Sequence, residues 1–307
     1  MQTILGANGV IATELSKNLP RYTNSIRQVS RHPKKVNDGD EIVEADLLDY
    51  SQAEKAVAGS DIVYLLAGLK YDIKTWKEQW PKLMRNVIDA CKKHNSKFVF
   101  FDNVYAYGEV KGTMTEETPF KPTSKKGEVR AQVATMLLDE IKAGNIQGLI
   151  VRAADFYGPG AIYSLTYSTV TQKLKAGKGA QWIGDPKAMH TFTYTPDAGK
   201  SVALLGNTPS AFNQTWHALT SKEPMTGEQY VRIACELKGQ PYKLQTLHTF
   251  GVSMVGLFSP ILHEFVEMHY LMTDPLIVDD AALQQLLGGM SKTPYPEGVR
   301  QSLAALS

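Results

Sequence analysis

The sequence predicts a doubly wound α/β fold, a parallel sheet with helices on both faces, followed by a smaller C-terminal substrate lobe. Three observations carry this expectation. Short β-rich runs alternate with longer helical patterns through the first half of the chain. Two of the runs, Val63-Tyr64-Leu65-Leu66 and Phe98-Val99-Phe100-Phe101, are apolar without a break, as strands buried on both faces are. And Ile4-Leu5-Gly6-Ala7-Asn8-Gly9-Val10-Ile11-Ala12 reads as a strand end, a glycine turn and a helix start.

In chain order, strands are expected over Gln2–Leu5, Ser25–Ser30, Glu41–Glu44, Asp61–Leu66, Lys97–Asp102 and Gln147–Arg152. Between them, helices are expected over Gly9–Leu19, Ser51–Ala58, Lys74–His94 and Lys125–Ala143. In the last of these, Val129, Val133, Met136, Leu137 and Ile141 recur at helical spacing and form one buried stripe. Trp76 and Trp80, at i and i+4, read as helix packing. After Arg152 the alternation loosens into loops carrying Gly158-Pro159-Gly160 and Gly184-Asp185-Pro186. No flexible linker intervenes. The expected division is therefore a dinucleotide-binding domain over 1–155, its sheet completed by later segments, and a mostly substrate-binding lobe over 156–307 interleaved with it.

Composition narrows the function. Of 307 residues, 43% are hydrophobic and 21% charged, ordinary for a soluble globular protein. A net charge of +2 gives no reason to expect nucleic acid or an anionic membrane as partner. Lys34-Lys35 and Lys125-Lys126 are short pairs without interleaved aromatics. Phe250–Leu262 is apolar but holds Gly251, Gly256 and Pro260 and falls short of the ~20 residues a membrane span needs, so it reads as a lid or core helix. Cys91 and Cys235 are too few and too far apart for a disulfide framework or a zinc site, and no metal site is expected. They suit a reducing cytoplasm, and Met1-Gln2-Thr3 runs straight into the first strand with no signal peptide.

The glycine loop makes an anion site. Gly6 permits the tight turn, Gly9 lets backbone approach a pyrophosphate, and Ala12 allows close helix–strand packing, with Asn8, Val10 and Ile11 completing the cradle. The fold expected is thus a Rossmann fold binding NAD or NADP. At the end of the second strand no acid is available for a ribose 2′-hydroxyl. Ser30 and Arg31 would instead suit a 2′-phosphate, so NADP is preferred over NAD. Asp46 and Leu47 after the third strand, and Ala67 and Gly68 after the fourth, stand where adenine and ribose would lie.

Together these residues resemble the extended short-chain dehydrogenase/reductase superfamily in its NAD-dependent epimerase/dehydratase branch. Phe98 to Gly108 resembles its Ser-Ser-x-x-Val-Tyr-Gly segment, and Arg152 to Gly160 its Arg-x-x-x-x-Tyr-Gly-Pro-Gly loop. Ile183-Gly184-Asp185, Phe192 to Asp197, Asp279-Asp280 and Thr293 to Val299 resemble its later segments. The resemblance implies a homodimer formed through the helices Lys74–His94 and Lys125–Ala143. It also places the family's catalytic Ser or Thr on Asn103, its Tyr on Lys126 and its Lys on Arg130.

That departure leaves the chemistry open. Arg130 could keep the ribose contact but exchanges no proton at neutral pH. Lys126 lies one helical turn away on the same face. A neighbouring positive charge and partial burial both favour a neutral amine, so Lys126 could replace tyrosine as proton carrier. Tyr105, Tyr107 and Tyr157 are alternative proton carriers or pocket walls. Asn103 can orient a carbonyl but titrates nothing. Asp102 and Asp155 sit at strand C-termini, as turn residues or substrate contacts. His190 falls where nucleotide-sugar members often carry an arginine, which weakens the case for a nucleoside-diphosphate sugar. Loops around Asp155–Thr166 and Phe250–His263 would shape the pocket. Two functions follow: an NAD(P)-dependent oxidoreductase or epimerase acting on a small sugar-like or carbonyl compound, or a non-catalytic NADP(H)-binding sensor or scaffold.

Overall fold

The chain opens with β1 (Gln2–Leu5), which passes through the glycine turn into α1 (Val10–Asn18). There follow β2 (Ile26–Ser30), β3 (Glu41–Glu44), α2 (Tyr50–Val57), β4 (Ile62–Leu65), the long α3 (Ile73–His94) and β5 (Lys97–Asn103). A 3₁₀ turn over Tyr105–Tyr107 and the short β6 (Thr113–Met114) lead to α4 (Lys125–Lys142) and β7 (Gly148–Ala153). The second half adds β8 (Asp155–Tyr157), α5 (Gln172–Lys175), β9 (Ala180–Ile183), β10 (Met189–His190), β11 (Phe192–Tyr194) and α6 (Thr195–Gly206). Then come β12 (Thr215–His217), β13 (Met225–Thr226), α7 (Gly227–Lys238), β14 (Leu244–Leu247) and β15 (Ile277–Val278), with a last helix over Tyr295–Ala304. This computed structural model describes residues 1–221, 223–247, 264, 266–289 and 291–305. The apolar stretch Phe250–Leu262, read above as a lid or core helix, lies outside the described residues.

Seven strands make one parallel sheet in the order β12-β7-β5-β4-β1-β2-β3. Its six N-terminal strands fall within about a residue of the expected runs. The seventh, β12, comes from the second half and pairs with β7. The chain leaves β1 in one direction to β2 and returns on the other side as β4, so the C-terminal ends of β1 and β4 flank a crevice where ligands of such sheets gather.

Each face of the sheet carries its own core. α2, α3 and α4 cover one face with Trp80, Leu83, Val87, Val133 and Leu137 buried against Leu65, Phe98 and Phe100. α1 and α6 cover the other, where Leu15 and Val202 pack on Ile4, Tyr64 and Val99. Gly199 allows α6 to lie directly on α1, because a Cβ there would stand 2.4 Å from the Cβ of Glu14. The apolar stripes of α3 and α4, the proposed homodimer surface, are thus spent on the chain's own sheet. A third cluster, around Tyr157, Trp182, Phe192 and Tyr230, forms the core of the C-terminal lobe. Among the described residues no helix is long and apolar enough to cross a membrane.

Candidate functional site

Two glycines of the first loop have different reasons to be glycine. Gly6 takes φ +95°, and a Cβ there would sit 2.4 Å from the backbone nitrogen of Ala67, so the fold itself demands it. The Gly6 and Ala7 N–H groups both donate to the Val29 carbonyl, at 2.9 and 3.0 Å. Gly9 has ordinary φ of −65°, and a Cβ there would meet nothing closer than 3.4 Å. Nothing in the protein requires glycine at that place. Gly9 caps α1 without any side-chain hydrogen bond, and the first turn holds no acid, so the helix N-terminus presents unsatisfied N–H groups.

Neighbouring strand ends extend this cradle. Asn8, at φ +77°, donates to the His32 carbonyl (2.6 Å) and accepts from the Lys34 N–H (3.0 Å), pinning the loop to the segment after β2. Ser30 Oγ accepts from the His32 N–H at 3.2 Å, and Arg31 beside it is exposed. Asp46 Oδ1 accepts from the Leu48 N–H at 3.0 Å; Leu47 is buried. Ala67 abuts Gly6, and Gly68 opens onto free space. Ile11 faces the core, whereas Val10 faces outward. An uncapped helix end, with Gly68 opening onto free space beside it, fits a dinucleotide.

A cavity of about 1070 Å³ continues from Asn8, Gly9 and Val10 past Gly68, Asn103 and Tyr105 to Asp155 and His190. Asn103 Oδ1 accepts from the Tyr105 N–H at 3.0 Å. The Tyr105 and Tyr71 phenols pair beside the cavity, and burial pushes both well above the usual phenol range, with the Asp155 charge adding to the effect. Both therefore remain protonated donors. His190 Nε2 meets Asp155 Oδ2 at 3.1 Å, the imidazole buried and the carboxylate partly exposed to the cavity.

Three residues expected at the chemistry lie elsewhere. Lys126 is fully buried and does not line the cavity. Its Nζ donates to the Glu264 carbonyl (2.9 Å), to the Glu264 carboxylate and to Glu267 Oε1 (2.8 Å), beneath the Tyr71 ring at 4.7 Å. The same glutamates accept from the N–H groups opening α3 and α4, Ile73 at 3.0 Å and Lys125 at 2.9 Å. So Lys126 fastens a C-terminal segment across two helix starts. Tyr157 is buried with its hydroxyl 2.8 Å from Ser221 Oγ, and burial raises its pKa. Tyr107 is buried behind the cavity and belongs to a polar chain described below.

Arg130 likewise leaves the ribose contact predicted for it. Its guanidinium pairs with the buried Asp102 carboxylate, Nε at 2.7 Å, and stacks 4.3 Å from the Trp80 ring. Arg152 approaches the other Asp102 oxygen at 3.4 Å. Asp102 is thereby placed as the centre of a buried Arg–Asp–Arg cluster, and Asp155 as the carboxylate that faces the cavity. Of Lys126, Asn103, Tyr105, Tyr107 and Tyr157, only Asn103 and Tyr105 line it. Lys70 and Tyr71, expected from the sequence to edge the pocket mouth, line it, whereas the wall made by Met268, Leu271 and Met272 was not foreseen. An apolar i, i+3, i+4 pattern over 268–272 was the available signal.

From Arg152 the polar chain runs through Tyr107. Arg152 Nη1 donates to the Tyr107 hydroxyl (3.1 Å), which lies 2.8 Å from His217 Nε2. His217 Nδ1 is 2.7 Å from the Asp279 carbonyl, which can only accept, so Nδ1 carries the proton and Nε2 accepts from Tyr107. Burial holds the His217 pKa below the usual 6.5, and the nearby Arg152 adds to this, outweighing Glu116 and Asp279. The unfolded chain then binds the extra proton first, so stability is full above pH 6.5 and falls as pH drops below it, by up to about 1.4 kcal/mol per pH unit. Urea unfolding at pH 7, 6 and 5 should show this slope, and His217→Gln should flatten it; an unflattened slope assigns the proton elsewhere.

A model of the NAD dependent epimerase/dehydratase family matches residues 3–216. The 3beta-hydroxysteroid-dehydrogenase/decarboxylase isoform 2 of Arabidopsis thaliana is 25% identical over 305 residues, covering 86% of this chain and 52% of that protein. The uncharacterized UDP-glucose epimerase YtcB of Bacillus subtilis is 22% identical over 165 residues, 51% of this chain and 52% of its own. The chain spans about half the length of these curated relatives. Among solved structures, UDP-glucuronic acid 4-epimerase from Bacillus cereus in complex with NAD superposes with a TM-score of 0.82 at 17% identity, covering 100% of this chain and 98% of the other. The dTDP-glucose 4,6-dehydratase DesIV from Streptomyces venezuelae, with NAD bound, gives 0.79 at 14% identity, over 99% and 96%. At these identities the likeness is one of fold.

Proposed function

Because the chain belongs to the NAD-dependent epimerase/dehydratase family, we propose that it binds a nicotinamide dinucleotide on the glycine loop and exchanges hydride with a small carbonyl or hydroxyl compound in the adjoining cavity. The observation that carries this reading is the continuity of one cavity from the uncapped start of α1 to Asn103, Tyr105 and Asp155. A bound dinucleotide supplies the hydride donor or acceptor. The protein's part is to hold and orient. Backbone N–H groups after Gly9 receive the pyrophosphate, and Ser30 and Arg31 a 2′-phosphate, which favours NADP over NAD. Asn103 and Tyr105 donate hydrogen bonds to a carbonyl oxygen, Tyr105 as a phenol kept protonated by its surroundings.

Titrating purified protein with NADPH and NADH, then assaying oxidation against a panel of aldehydes, ketones and sugars, tests this. Arg31→Ala should cut NADPH affinity about tenfold and spare NADH; equal losses for both would remove the NADP preference. The Lys126 geometry yields a separate expectation. Lys126→Met should cost on the order of 2 kcal/mol in unfolding free energy, by stranding two partly buried glutamates, while folded protein keeps its dinucleotide affinity and turnover. Loss of turnover at unchanged stability would return Lys126 to the chemistry.

A second reading, a dinucleotide sensor without turnover, is favoured by Lys126 and Arg130 both being locked in buried ion pairs. It predicts tight NADPH binding and no oxidation by any compound of the panel. Cys91 and Cys235, both free and buried, suit the reducing cytoplasm in which we place the protein. A homodimer would have to use faces other than the buried stripes of α3 and α4, which sedimentation of the purified protein would test.

A further inference from the structure

We propose that the substrate half of the cavity takes an uncharged, largely apolar alcohol, whose hydroxyl is read by Asp155, and turns away nucleoside diphosphates. The inference rests on the hydride-transfer reading above and names its substrate class.

Charge is the first ground. Among the described residues lining the cavity there is no arginine. Lys17 is tied to Glu14 at 2.7 Å and His190 to Asp155 at 3.1 Å, and Lys70 stands exposed at the mouth. A diphosphate entering the site finds no planar fork for bidentate binding, and meets a carboxylate instead. Like charges brought together without a bound cation oppose binding strongly.

Apolar surface is the second. Met268, Leu271, Met272 and Phe156 wall the cavity beyond the cofactor loop. At its rim Tyr163 is 96% exposed and Ile162 51% exposed, side chains that burial in the chain's own core does not explain. Such a rim gains most from covering a hydrophobic body.

Asp155 gives the polar recognition. An ionised carboxylate only accepts hydrogen bonds, so its natural partner in an apolar pocket is a hydroxyl. Its side chain is 31% exposed toward the cavity, while His190 behind it is 3% exposed and rests 5.0 Å from the Phe192 ring. Asp155 is therefore a specificity residue and His190 a positioning residue.

Calorimetric titration with 2-decalol, a bicyclic apolar alcohol, and with UDP-glucose decides the matter, each run with and without NADP. Wild-type protein should bind 2-decalol at least about 100-fold more tightly than UDP-glucose. Asp155→Asn, which keeps the shape and removes the charge, should shrink that ratio about tenfold or more. Tyr163→Ala, at an exposed position that cannot disturb folding, should weaken 2-decalol about fivefold and leave UDP-glucose unaltered. UDP-glucose binding as tightly as 2-decalol, failure of both to bind, or a ratio indifferent to Asp155→Asn would overturn the assignment. If NADP fails to bind, the hydride-transfer reading falls, and the loss of 2-decalol affinity in Asp155→Asn, measured without NADP, still tests the substrate class.

Discussion

Asp102→Ala should lower the unfolding free energy by about 3–5 kcal/mol, the largest loss expected from any single side chain here. Asp102 is completely buried at the end of β5, between two guanidinium groups that are themselves 4% and 1% exposed. Arg130 lies against Trp80 and Phe100 at 4.3 and 5.1 Å, and Arg152 against Phe120 and Tyr107 at 4.5 and 4.9 Å. These rings partly replace the hydration the cations have lost, but they are no counter-charge. Arg152 Nη2 already lacks a hydrogen-bond partner among the described residues, so the cluster has no spare acceptor. Removing the carboxylate leaves two buried positive charges and one unfilled hole. Since domains are stable by about 5–15 kcal/mol, a substantial unfolded fraction should appear at ordinary temperatures. Chemical denaturation with an unchanged slope and a lowered midpoint is the expected record; a loss under about 1 kcal/mol would mean that water reaches the guanidiniums. Asp102→Asn should cost less, because the amide oxygen keeps one acceptor.

The same cluster shows where reading the sequence stops. β4 and β5 were legible because strands buried on both faces need apolar runs, and β1, β2, β3 and β7 because short β-rich runs alternate with helical stretches, which leaves few topologies. The glycine loop was legible because backbone geometry acts over adjacent residues. The fates of Lys126, Arg130, Tyr107 and Tyr157 were not, since each is set by a distant partner. Lys126 is claimed by Glu264 and Glu267, 138 and 141 residues on. Arg130 is claimed by Asp102, Tyr107 by His217 and Tyr157 by Ser221. Helical spacing put Lys126 and Arg130 on one face of α4, correctly. It could not say that this face looks into Trp80 and a glutamate-bearing segment rather than into the cavity. Asp155 and His190 lie in separate strands, β8 and β10, and only the folded lobe brings them to 3.1 Å. Charges that find partners at short range are hidden from periodicity, because any buried lysine needs a carboxylate but nothing local says which.

Gly9→Asp should leave the fold intact, or stabilise it by a few tenths of a kcal/mol, and weaken dinucleotide binding at least about 100-fold. The two effects have opposite signs because the glycine serves the ligand and not the chain. At φ −65° and ψ 151° the backbone of Gly9 suits any residue, and a Cβ would have only ordinary contacts. As N-cap of α1, an aspartate would accept from the helix's free N–H groups and satisfy donors that no side chain now reaches. Those are the donors a pyrophosphate would use. A carboxylate about 4 Å from a diphosphate, at an effective dielectric near 20, opposes binding by about 4 kcal/mol, well above the 2.7 kcal/mol that corresponds to 100-fold. Gly6→Ala is the control with the reverse logic: its Cβ would collide with Ala67, so it should lose stability and binding together. Thermal unfolding and NADPH titration of the two variants separate the roles. Retained NADPH affinity in Gly9→Asp would remove the cofactor from this loop.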